Sequence, residues 1–126
     1  AGVSSFTNVL KGDLNRMHKT MDINLWGIIY ITQSFLPFMQ NIDDHTSDDD
    51  DTRCIINTSS IAGIATADSF YAVTKHGVSA LTEVFQAELK GYNKKCKKEQ
   101  NGRGIINVSC LIPSYVKSQF FESTGK

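Results

Sequence analysis

Cys54-Ile55-Ile56-Asn57-Thr58-Ser59-Ser60-Ile61-Ala62-Gly63, followed a few residues later by Tyr71-Ala72-Val73-Thr74-Lys75, is the passage whose reading decides the fold. Its opening is a short apolar run rich in β-branched residues, which predicts a strand over residues 54–58 covered on both faces. The strand ends in hydroxyls and a glycine, the composition of a turn. Beyond it, Phe70, Val73, Gly77, Val78, Leu81, Val84, Phe85 and Leu89 recur at helical spacing and predict an amphipathic helix over residues 69–90. A second apolar run predicts another buried strand over residues 105–112. Upstream, Leu14, Met17, Met21, Leu25, Ile28, Phe35 and Met39 predict a helix over residues 14–40, which Pro37 bends or closes. The second half of that helix is apolar almost all round, so burial on more than one side is expected, in a core or against a partner.

Helix, strand, helix, strand is the rhythm of a parallel α/β sheet. Two strands alone cannot make a sheet that buries both faces. Residues 1–126 are therefore expected to be one unit, part of a larger doubly wound α/β domain.

Composition narrows the function. Hydrophobic residues make up 40% and charged residues 21%, which excludes a disordered chain. Thirteen basic and thirteen acidic side chains cancel, which removes the bulk electrostatic case for nucleic acid or an anionic membrane. No apolar run is long enough to span a bilayer, and no secretory leader opens the sequence, so a cytoplasmic location is expected. Cys54, Cys96 and Cys110 read as free, buried thiols. The three histidines show no metal-ligand spacing with them, so no metal site is expected. Two hydrophilic stretches, 41–52 and 91–104, read as surface loops, with an extension of the preceding helix as the alternative for the second. The aspartates at 43–51 lack the pattern of a calcium loop, and the lysines at 94–98 lack aromatic platforms for nucleic acid.

The chemistry lies in Tyr71 and Lys75. Spacing of i to i+4 puts phenol and ammonium on one helix face. A free phenol ionises near pH 10, and a neighbouring cation moves it toward the working range of a proton-transfer group. Taken alone, the pair is also what a solvated lysine one turn from a surface tyrosine would look like. The hydroxyls at the C-terminal end of the strand change the weighing, because open α/β sheets bind ligands there.

Strand, Ser59-Ser60-Ile61-Ala62-Gly63, short loop and Tyr71-x-x-x-Lys75 together resemble the short-chain dehydrogenase/reductase family. The likeness extends outward to Asn24 in Asp22-Ile23-Asn24-Leu25-Trp26-Gly27, to Pro113-Ser114-Tyr115-Val116-Lys117-Ser118, and to Ala1-Gly2 as the tail of an Asn-Asn-Ala-Gly turn. The resemblance implies a Rossmann-like, doubly wound parallel sheet, represented here by an incomplete helix-strand-helix-strand portion. It implies an oxidoreductase that moves hydride between NAD or NADP and an alcohol or carbonyl. Tyr71 would be general acid or base, and Lys75 would lower its pKa and hold the nicotinamide ribose. Ser60 would bond the substrate oxygen, with Ser59 a structural hydroxyl. Asn24 would hold a water linking Lys75 to solvent. Pro113, Val116 and Ser118 would line the nicotinamide. The resemblance also implies a homodimer or homotetramer formed through the helices at 14–40 and 69–90.

The sequence departs from the family in having no Gly-rich turn between a strand and a helix. Gly102-Arg103-Gly104 precedes a strand instead. Ser114 replaces the usual glycine after Pro113, and the Ser60–Tyr71 loop is short. The alternative is a catalytically incompetent member acting as a dimerising interaction module. A nucleotide-binding regulator of the same fold is a third reading.

Overall fold

The computed structural model describes residues 2–4, 6–41, 51–116 and 120. The first helical region begins at α1 (Leu14–Met21), where the Asp13 carboxylate caps the N-terminus by accepting from Asn15 N at 2.8 Å and Arg16 N at 3.4 Å. It continues through a π-helical turn, Asp22–Trp26, into α2 (Gly27–Gln40). The helix expected over 14–40 is thus continuous but wound wider in its middle. Pro37 lies inside α2, which ends three residues later.

Strand β1 (Arg53–Thr58) and strand β2 (Ile106–Leu111) pair in parallel, from Arg53 opposite Ile106 to Thr58 opposite Leu111. Helix α3 (Phe70–Glu99) makes the crossover between them. It runs nine residues beyond the expected end at Lys90, so the lysines at 94–98 lie on a helix rather than a loop. Leu89, Tyr92 and Cys96 carry the buried stripe onward, and Cys96 is only 2% exposed. Lys97 and Lys98 stand in the last turn, where they complement the negative end of the helix dipole. A turn with positive φ at Asn101, Gly102 and Gly104 then reverses the chain into β2.

The core lies between α3 and one face of the sheet. Leu89, Ile106 and Val108 are buried there, with Ile55, Phe85, Tyr92, Leu36 and Met39 packed against them. Asn93 and Gln86 reach from α3 to β2. The Asn93 amide donates to Ile106 O at 2.8 Å and accepts from Ile106 N at 2.9 Å, while Gln86 donates to Val108 O at 2.8 Å. Arg53 closes the other end of the layer. It forms a two-pronged pair with Asp51 (2.7 and 3.1 Å) and donates to the carbonyls of Met39 and Asn41.

Three expectations are corrected. Among the described residues the strands are covered on one face only: Cys54, Ile56, Thr58 and Leu111 are exposed, while α3, with Leu36 and Met39 of α2, packs on the other face. Cys54 is therefore not a buried thiol, although all three cysteines are free. No residue of α2 is buried, and Tyr30, Ile31, Phe35 and Phe38 stand more than half exposed. Residues 42–50, which hold most of the acidic stretch, lie outside the described residues. Among the described residues, no helix is long and apolar enough to cross a membrane.

Candidate active site

The paired strands deliver the site. Beyond Thr58 the chains still run side by side, with Ser59 N donating to Leu111 O at 2.8 Å and Ile61 N to Pro113 O at 2.9 Å. Ser60 then caps a single 3-10 turn, Ile61–Gly63, its Oγ accepting from Ala62 N at 3.2 Å. Gly63 is buried against α3. A Cβ there would run into Ser59 Oγ and stand 2.6 Å from the Lys75 carbonyl oxygen, so only glycine lets the turn lie this close. Ser59 fastens the contact, donating to Lys75 O at 2.8 Å and lying 3.0 Å from Ser79 Oγ. The structure gives Ser59 the packing position expected for it.

Ser60 and Tyr71, separated by a loop, stand together on the pocket wall, close enough for the Ser60 hydroxyl to act on the phenol. Lys75, one turn along α3, is 4% exposed; its Nζ donates to Thr58 O at 2.9 Å and lies 5.6 Å from the centre of the Tyr71 ring. Burial raises the Tyr71 pKa above its ordinary value, and the Ser60 hydrogen bond works against that rise. Burial lowers the Lys75 pKa, and the nearby Cys110 thiol opposes that change. The net shift at Tyr71 is upward, opposite in direction to the one the resemblance implies, because desolvation outweighs the Ser60 hydrogen bond.

Asn24 lies in the π-helical turn and is 1% exposed. Its Oδ1 accepts from Val3 N at 2.8 Å; its Nδ2 donates to Val3 O at 2.8 Å and to Thr74 Oγ1 at 3.1 Å. Both amide hydrogens are thus engaged in holding the N-terminal stretch against α3. Gly2 comes between Asn24 and Lys75: a Cβ there would stand 3.1 Å from Asn24 Oδ1 and 3.4 Å from Lys75 Nζ. Thr74, buried and donating to Tyr71 O at 2.8 Å, ties the Asn24 amide to the turn that carries the phenol. Sequence reading missed Thr74, although its position beside Lys75 placed it on a buried helix face.

These groups border one pocket of about 470 Å³. Ser60, Tyr71 and Lys75 line it together with Pro113 and Val116; Asn24 stands behind Gly2 and is not part of the wall. Ser118, expected on the nicotinamide, lies outside the described residues. Phe6, Asp68, Tyr115 and Phe120 also line the pocket and were not anticipated. Phe120 packs on Tyr71 with ring centres 5.9 Å apart.

A parallel β-α-β unit with hydroxyl, phenol and ammonium gathered at the C-terminal ends of its strands defines a ligand-binding α/β protein. The chain belongs to the short chain dehydrogenase family, whose model matches residues 1–126. It is 27% identical over 120 residues to the mitochondrial D-beta-hydroxybutyrate dehydrogenase of Rattus norvegicus, covering 94% of this chain and 32% of that protein. It is 24% identical over 124 residues to farnesol dehydrogenase of Aedes aegypti, covering 93% of this chain and 47% of that protein. The solved short chain dehydrogenase of Burkholderia cenocepacia in complex with NADP superposes with a TM-score of 0.73 at 19% identity, over 98% of this chain and 44% of that one. That of Burkholderia phymatum, in complex with NAD, gives 0.71 at 23% identity, over 97% and 38%. The likeness establishes a Rossmann-type fold, of which these elements form a part. The chain spans about a third of the length of its mitochondrial relative.

Proposed function

We propose that the protein containing this chain interconverts an alcohol and a carbonyl compound, using NAD or NADP, with Tyr71 as the group that gives or takes the proton. The observation that carries the reading is the meeting of Ser60, Tyr71 and Lys75, from two separate elements, on one pocket. The dehydrogenases among the relatives agree with it.

The residues present fit the nicotinamide end of such a cofactor. Lys75 is buried at the pocket floor and makes one hydrogen bond among the described residues, which leaves two of its three N–H donors for ribose hydroxyls. Gly2 keeps the space beside Lys75 open, where any side chain would press on it. Pro113 and Val116 would flank the ring, and Ser118 is assigned to its carboxamide from sequence. The bound cofactor supplies or accepts the hydride.

The chain's own residues do the rest. In reduction, Ser60 donates to the carbonyl oxygen and stabilises the negative charge growing there. Tyr71 transfers its proton to the same oxygen, completing the alcohol. In oxidation the same groups act in reverse, with Tyr71 ionised. Asn24 acts by positioning: its amide locks Val3 and Thr74, and so sets where Gly2 lies against Lys75.

A second reading is favoured by α2, whose exposed Tyr30, Ile31, Phe35 and Phe38 present apolar side chains suited to another subunit, and α3 exposes Val73 and Val84. A homodimer or homotetramer through these helices is compatible with catalysis. An interaction module would keep the surface and lose the chemistry. The test is a panel of alcohols and ketones offered to the full-length protein with NAD(H) and NADP(H). Turnover of any pair supports the oxidoreductase. Cofactor binding without turnover supports a regulator, and neither supports the interaction module.

A further inference from the structure

We propose that the pocket takes neutral, largely apolar alcohols and ketones and discriminates against substrates that carry a carboxylate; this rests on the oxidoreductase reading above. Around Ser60 and Tyr71 the wall is made by Phe6, Ile61, Ala62, Ala67, Tyr115 and Phe120. Among the described residues only two charged groups line the pocket, Lys75 and Asp68. Lys75 cannot serve a substrate anion well. It is buried, donates to Thr58 O, and its two remaining N–H donors are the ones assigned above to the cofactor ribose.

Asp68 stands on the exposed part of the wall and has no ion-pair partner among the described residues. It directly precedes Ser69, the N-cap of α3. Asp68 thus places a negative charge one residue ahead of the N-cap of α3, at the helix end that would otherwise attract an anion. A substrate with its reacting oxygen on Ser60 and Tyr71 extends along apolar side chains toward that carboxylate. An alkyl chain gains from the wall. A carboxylate loses its water, meets no cation other than Lys75 among the described lining residues and faces a like charge.

The experiment uses the full-length protein with NADH and NADPH. It compares acetoacetate with acetoacetamide, a neutral molecule of nearly the same size, and runs a series of 2-alkanones of growing length. The amide is expected to exceed the acid in kcat/KM by about tenfold or more. The alkanones are expected to gain about fourfold per methylene until the pocket is filled. In Asp68→Asn the amide-to-acid ratio should fall about two- to fivefold, and further in Asp68→Lys. A preference for the acid, or a ratio that neither Asp68 variant moves, overturns this inference while leaving the oxidoreductase intact. Failure to turn over any compound, with cofactor bound, overturns both.

Discussion

Gly63→Ala tests whether the site depends on the close approach of the 61–63 turn to α3. The added methyl meets Ser59 Oγ and the Lys75 carbonyl, and the carbonyl belongs to a helix backbone that cannot step aside. The turn must retreat instead. Overpacking of this kind costs about 1–3 kcal/mol. The retreat also lengthens the Ser59–Lys75 hydrogen bond, worth about 1 kcal/mol more. The expected loss of stability is about 2–4 kcal/mol in all. Ser60 caps the same turn, so its hydroxyl moves relative to Tyr71. A displacement of about 1 Å at reacting groups lowers kcat about 100-fold. Urea unfolding and steady-state kinetics on the full-length protein read both effects. Stability within about 0.5 kcal/mol of the parent, the range of ordinary surface substitutions, with kcat unchanged, would refute the packing argument.

Other substitutions probe single links. Thr74→Val keeps the volume of a fully buried side chain but strands one N–H of Asn24; it should cost about 1–3 kcal/mol, and Thr74→Ser clearly less, by thermal or urea unfolding. Arg53→Met removes the charged bonds that tie the end of α2 to β1, so amide exchange around residues 39–41 and 51–53 should quicken, with a loss of about 1.5–3 kcal/mol. The Tyr92 hydroxyl is buried beside Cys96, whose thiol donates to Gly104 O, and does not reach hydrogen-bond geometry. Burial first, then Cys96 and Asp51, push the Tyr92 phenol up to about 12 from 10.0, against the pull of Arg53. A raised pKa means the unfolded chain loses its proton first. The stability held below pH 10 is therefore lost as pH rises toward about 12, and Tyr92→Phe should flatten that alkaline decline in a pH series of melting curves.

The sequence carried the parts of this molecule that repeat along one element. Strand β1, strand β2 and the face of α3 with Tyr71 and Lys75 all follow from local periodicity. The end of α3 was misplaced at Lys90 because lysines crowd its last turns, yet Tyr92 and Cys96 continue the stripe from Leu89. What periodicity cannot show is partnership across the chain. Asn24 bonds Val3, 21 residues away, and Thr74, 50 residues away, and neither distance leaves a pattern. The direction of the Tyr71 shift is hidden from sequence for a similar reason. Spacing brings Lys75 near, but how far the phenol is buried depends on segments remote in sequence, and desolvation is the largest influence on it. The apolar girth of α2 was plain in sequence; that Leu36 and Met39 meet the core while Tyr30, Ile31, Phe35 and Phe38 stay exposed was not.

The central claim, that Tyr71 moves the proton, is tested most directly by Tyr71→Phe in the full-length protein. Turnover of the best substrate and binding of NAD(H) or NADP(H) should be measured side by side. The account predicts that turnover falls by about 100-fold or more while cofactor affinity stays within a few fold, because general acid–base catalysis is removed and Lys75 remains. Turnover that survives the substitution would contradict it and remove Tyr71 as the proton donor.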